Sequence, residues 1–191
     1  MKTFTETPIT KDQFVKQLKW HQEQDSFISG AYSQKDGDKF TGCAVGCSIH
    51  SIQLELGIKK IEYGNHSLYE KYLGVPEWLA RVEDWIFENV SPKRQKTWPV
   101  EFGEAIPIGV NLNKVKNPFL IFILENCLET LDSLKIDEKE IAVISAIKGS
   151  KEAVKLSIEY LKNPSDAARA AADAVADVVY AVADAAAYAA R

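Results

Sequence analysis

Apolar residues recur every three or four positions along most of this chain, and glycine or proline stops each run. That step stacks side chains on one face of an α-helix, whereas a half-buried strand alternates every two. It therefore predicts an all-α protein, a compact multi-helix single domain. Phe14, Leu18, His21, Asp25 and Ile28 keep this step after Thr10, and T-K-D-Q places Gln13 as the partner in a capping box. Gly30 is the expected stop. Val75, Leu79, Val82, Ile86 and Val90 repeat the pattern in a helix opened by Pro76 and closed at Ser91-Pro92, with Trp78 and Trp85 broadening its stripe.

The stretch from Gly42 to Leu56 is also helical by spacing, with Gly57 as its stop. Val45, Ile49, Ile52 and Leu56 make one side of the wheel. Cys43, Cys47, His50 and Leu54 make the other, within about 60° of one another. Two such faces predict a helix sandwiched between neighbours. The polar segment from Tyr32 to Phe40, with its Asp-Gly turn signal, is expected as a loop in preference to a hairpin.

Short helices are expected over 66–73 and in W-P-V-E-F-G-E-A-I-P, where Trp98, Phe102 and Ile106 recur in steps of four. Residues 118–131 read as a helix, with strand competing for F-L-I-F-I-L. Two segments follow, one from Asp137 and one from Ser150, with a break near Gly149. Ser165 then caps a long alanine-rich C-terminal helix of about 36 Å. Asp166, Arg169, Asp173, Asp177, Tyr180, Asp184 and Arg191 line one side of it, and Val175, Val178, Val179 and Val182 the other. Residues 1–9 are expected to be a flexible N-terminal segment, and 10–191 the helical domain.

With 23 Lys and Arg against 27 Asp and Glu, the chain lacks the basic surface that nucleic acid requires. M-K-T-F-T-E-T-P has no apolar stretch of the signal-peptide kind, and P-F-L-I-F-I-L is far shorter than the roughly 20 residues that cross a bilayer. Three cysteines are too few for a disulfide scaffold. A cytoplasmic protein with free thiols, away from nucleic acid and membrane, is the expectation. There is no phosphate loop, dinucleotide fingerprint or H-E-x-x-H motif.

One stretch, G-C-A-V-G-C-S-I-H, carries candidate chemistry. Cys43, Cys47 and His50 share a helix face, and His21 and Asp25 share a face of the preceding helix. Buried polar groups need partners, so these five are expected to form one polar cluster. Packing is the preferred reading: His21 donating to Asp25, the cysteines filling space, and no resident metal or cofactor. Metal ligation is one alternative, since thiolate and imidazole suit soft ions although C-x3-C in a helix is poor zinc spacing. Thiol chemistry is the other: Cys43 lies near a helix N-terminus, and Cys47 lies one step from His50. His66 is expected at the surface or as a helix cap, and the pairs Glu83/Asp84 and Glu101/Glu104 as surface acids. Cys127 is expected in the core. No catalytic residue is assigned.

H-Q-E-Q-D-S-F-I-S-G-A-Y, G-C-A-V-G-C-S-I-H, G-V-P-E-W-L-A-R-V-E-D-W-I-F-E and W-P-V-E-F-G-E-A-I-P together resemble an uncharacterised family of small helical bacterial and phage-associated proteins over roughly residues 17–110. The alanine-rich end is similar to those of some helical proteins grouped with toxin-immunity proteins. The resemblance implies no activity. The expected function is a non-enzymatic interaction protein, with an immunity-like role as one form of it, and with an unknown protein partner or self-association. The alternative is a small metal- or thiol-dependent enzyme using the Cys43/Cys47/His50 region.

Overall fold

The computed structural model describes residues 1–37, 39–134 and 141–166. The expectations for Asp137 and for the alanine-rich segment beyond Asp166 lie outside the described residues. The described chain is mostly helical, and it divides into two compact units in place of the expected single domain, one spanning Met1–Asn113 and the other beginning at Lys114.

Unit 1 contains helices α1 (Lys11–Glu23), α2 (Ala44–Leu56), α3 (Ser67–Leu73), α4 (Glu77–Asn89), α5 (Pro92–Gln95) and α6 (Trp98–Ala105). The Thr10 capping box forms as expected. Helix α1 nevertheless ends at Glu23, because Asp25 takes φ 50° and turns the chain aside before Gly30 is reached. The expected loop contains a hairpin. Strands β1 (Gln34–Asp36) and β2 (Lys39–Thr41) pair antiparallel with Lys35 opposite Phe40, and Gly37 at φ 60° begins the turn. The Asp-Gly signal thus specified a hairpin turn, since a left-handed glycine suits a tight two-strand reversal.

Helix α2 is the axis of unit 1. All residues from Ala44 to Ile49 are buried, together with Ser51 and Ile52, and α2 meets α1, α3, α4 and α6. Its two-faced pattern is therefore satisfied on both sides. Gly57 closes it at φ 61°. Phe14 and Leu18 from α1, Tyr69 and Leu73 from α3 and Phe87 from α4 pack with Val45, Ile49 and Ile52 in one cluster. Each such apolar side chain contributes about 1.5–3 kcal/mol on full burial.

Residues 1–9, expected to be flexible, are instead joined to the core. Thr3 donates its amide to Val110 O at 3.0 Å and accepts from Gly109 N at 2.8 Å, and Phe4 N donates to Leu73 O at 2.8 Å. Thr3 and Ile9 are buried. Gly74 allows this approach: a Cβ there would lie 2.2 Å from the Lys2 carbonyl oxygen.

In the second unit, α7 (Lys116–Ser133) and α8 (Ile141–Lys162) pack side by side, with Lys151 on Asp132 at 2.7 Å and Lys162 on Glu125 at 3.3 Å. The break expected near Gly149 is absent, since α8 runs through it. Cys127 is exposed, contrary to the expected core position. Among the described residues no helix is long and apolar enough to cross a membrane.

Candidate metal centre at the N-terminus of helix α2

The glycines of G-C-A-V-G-C shape this end of the helix. A Cβ on Gly42 would lie 2.5 Å from the Tyr32 carbonyl oxygen, and one on Gly46 only 1.7 Å from it. Their bare Cα atoms let the Gly30–Tyr32 backbone lie directly on the first turn of α2. Cys43 N then donates to Ala31 O at 2.7 Å. Cys43 is the N-cap of the helix, and its Sγ accepts the Gly46 amide at 3.4 Å. The thiol thus occupies the place where a serine or aspartate oxygen usually caps a helix.

Helix α4 supplies two carboxylates one turn apart. Asp84 is held from three directions: its Oδ1 accepts from Cys43 Sγ at 3.4 Å, and its Oδ2 accepts from Tyr32 OH and from His66 Nε2, each at 3.0 Å. Glu88 Oε2 accepts the Gly30 amide at 2.9 Å. One ligand atom each from Cys43, Asp84 and Glu88 lies within 4.8 Å of the others. They line a pocket of about 330 Å³ with Gly30, Ala31 and Tyr32. His66 enters from the turn before α3, where Asn65 Oδ1 accepts from Ser67 N at 3.2 Å and from Ser67 Oγ at 2.6 Å.

The electrostatics differ between the thiol and the carboxylate. Burial, with the Asp84 carboxylate adding to it, pushes the Cys43 thiol well above its ordinary range against the opposing pull of the Gly46 amide. Burial acts to raise Asp84 too, but the hydrogen bonds from His66, Tyr32 and Cys43 outweigh it and hold the carboxyl below its usual value. Among the described residues no lysine or arginine forms an ion pair with Asp84 or Glu88. A divalent cation among these donors would favour a thiolate at Cys43.

The five residues expected to cluster are divided. His21 Nε2 and His50 Nδ1 lie 3.3 Å apart, with the His50 ring stacked on Phe40 at 3.9 Å between centroids. His21 is driven down to about 3, by burial first and then by the His50 charge; His50 is driven to about 4, by burial and then by Lys35. This pair is a neutral, packed contact. Cys47, buried further along α2, donates to Gly42 O at 3.4 Å and to Ser26 O at 3.7 Å. Cys43 faces α4 instead. Asp25, expected to accept from His21, is exposed and pairs with Lys96 at 2.9 Å. The left-handed φ of Asp25 takes it off the face it would occupy in a continued helix.

Two residues of the centre, His66 and Asp84, depart from the surface positions that pattern predicts for them. His66 is 6% exposed, not a surface residue, and as N-cap of α3 it makes no side-chain capping bond. Asp84 is only 16% exposed, and its neighbour Glu83 is wholly buried. The Tyr69 hydroxyl donates to Glu83 at 2.7 Å, and burial raises the Glu83 carboxyl to about 8. The i, i+4 spacing of Asp84 and Glu88 was a readable sign that both lie on one helix face. Their convergence with Cys43 and Tyr32, distant in the chain, was not. No protein-family model matches the chain, and neither curated proteins nor solved structures give a match.

Proposed function

We propose that this protein is a metal-dependent enzyme of the hydrolytic class, with a zinc-type divalent cation held by Cys43, Asp84 and Glu88. The observation that carries the reading is the meeting of these three donors within 4.8 Å at a pocket. A thiolate with two carboxylates suits zinc, cobalt(II) or cadmium better than magnesium or calcium, which take oxygen alone. Three protein ligands leave a tetrahedral ion one position for water or substrate, the arrangement of catalytic sites as opposed to closed structural ones. A zinc ion held by these residues would supply a bound water of lowered pKa as the nucleophile. Cys43 acts here as a ligand. The thiol-nucleophile alternative is opposed by its raised pKa and by the neighbouring carboxylate, both of which keep the thiol protonated without a cation. The interaction-protein reading has exposed apolar side chains such as Phe122 and Trp85 in its favour, but no observation that selects a partner.

Zinc titration against a chromophoric chelator tests the proposal. Wild type is expected to take one zinc per chain, and Cys43→Ser and Asp84→Asn each to lose more than roughly 100-fold in affinity, beyond the usual cost of losing a supporting residue. Equal binding by wild type and both variants would overturn it.

A further inference from the structure

Asp84 is the one carboxylate in the centre whose two oxygens face different partners. Oδ2 receives both Tyr32 OH and His66 Nε2 at 3.0 Å, while Oδ1 points to Cys43 Sγ at 3.4 Å. The phenol and imidazole approach this oxygen from separate elements. Their rings meet nearly perpendicular, with centroids 5.8 Å apart. Two donors on one oxygen pin the rotation of the carboxylate and occupy the lone pairs that bidentate ligation would need. The other oxygen is left beside the thiol, where the shared ion would bind.

We infer that His66 and Tyr32 are positioning residues that hold Asp84 as a one-oxygen metal ligand through Oδ1, without themselves ligating the ion. The inference rests on the metal-centre reading above and specifies how that centre is built. His66 is suited to the task, being buried and held in a turn fixed by Asn65. Tyr32 is suited for a different reason: its backbone lies against Gly42 and Gly46 with no room to shift toward α2. Hydrogen bonds to a ligating carboxylate orient it before the ion arrives, so less order must be imposed on binding. The one-oxygen mode also keeps the coordination number low, leaving space for the position that faces the pocket.

Cobalt(II) and zinc titrations of the full chain separate this role from ligation and from a merely structural one. His66→Ala is expected to weaken zinc binding 10- to 100-fold, and Tyr32→Phe about 10-fold, as for other partners of metal ligands. In both variants the sulfur-to-cobalt charge-transfer band of the saturated protein is expected to persist with wild-type shape, because Cys43 still ligates and the set of ligands is unchanged. His66→Gln, which retains an N–H donor, is expected to recover part of the lost affinity. Thermal unfolding of the metal-free variants checks that each folds, and Tyr32→Phe, which removes one oxygen from a partly exposed ring, carries the test should His66→Ala fail to fold. Wild-type affinity in Tyr32→Phe and in the folded His66 variants overturns the positioning role while leaving the centre itself intact. A changed cobalt ligand-field spectrum in His66→Ala also overturns it, by making His66 a ligand. Failure of the wild-type chain to bind either metal removes the centre and this inference together.

Discussion

Two stretches of helix α2, its N-terminal turn and its middle, bury polar groups in opposite ways. At its N-terminus, Cys43 meets Asp84, and the Asp84 carboxylate is supported by Tyr32 and His66 beside a pocket. Two turns on, His50 meets His21 in an aromatic setting formed by Phe40, Tyr63 and Trp20, with both imidazoles held neutral. The first gathers a carboxylate held in its anionic form and a protonated thiol beside it. The second satisfies one ring nitrogen with another and excludes charge. The two stretches show that burial of polar residues on one helix does not make one site: the charge that each neighbourhood tolerates separates them.

The largest effect on this contrast is expected from Gly46→Ala. The new Cβ would lie 1.7 Å from a carbonyl oxygen, a backbone atom that cannot rotate away, so the Gly30–Tyr32 segment must lift off α2. Overpacking costs typically 1–3 kcal/mol, and a clash with backbone belongs at or above about 3 kcal/mol. Urea unfolding of Gly46→Ala should show that loss, with zinc affinity falling as Tyr32 leaves Asp84. The His21–His50 contact should be less disturbed. Unchanged stability would mean that the glycines do not seat the segment.

Much of the fold was legible because helix period and stop signals are local. The capping box at Thr10, the Gly57 stop and the two-faced burial of α2 all follow from residues within a few turns of each other. The hairpin after Tyr32 was underread, because a single Asp-Gly signal between short polar strands offers little apolar alternation. The site was legible only in part. Cys43 stood out by residue type, but Asp84 and His66 resemble ordinary surface residues until α3 and α4 are folded against α2. The more telling letters in G-C-A-V-G-C were the glycines, whose role depends on a backbone segment ten or more residues earlier. Spacing reports which residues share a helix face. It does not report what another part of the chain brings to that face.

A smaller effect separates the two stretches by pH. His21 has a folded pKa of about 3, below its ordinary value of 6.5, so acid protonates the unfolded chain first. Stability from this depressed group is therefore present above pH 6.5 and is lost progressively as pH falls toward 3. Between pH 7 and pH 5 the loss from His21 should be about 2 kcal/mol, the cost of keeping an imidazole neutral at pH 5. Urea midpoints of wild type and His21→Gln at the two pH values measure it. The variant can be less stable at pH 7 for lack of packing; the informative quantity is its shallower decline in acid. Equal declines would show that His21 does not carry the acid sensitivity.

The smallest effect is expected at Asp25, which the spacing joined to both histidines and the structure joins to neither. Its carboxylate is exposed and pairs with Lys96 at 2.9 Å, a surface ion pair that salt and solvent weaken. Its backbone is the more constrained part, since φ 50° is tolerated best by glycine, asparagine and aspartate. Charge and conformation therefore make different predictions. Asp25→Asn removes the charge and keeps a residue suited to that φ, so the melting temperature, the zinc affinity and the acid decline should all match wild type. Asp25→Ala removes the same charge but places an unsuited residue in the left-handed region, so it alone should lower the melting temperature. If Asp25→Asn instead changed the acid decline in step with His21→Gln, the carboxylate would be coupled to the histidines, and the separation of Asp25 from that pair would fail.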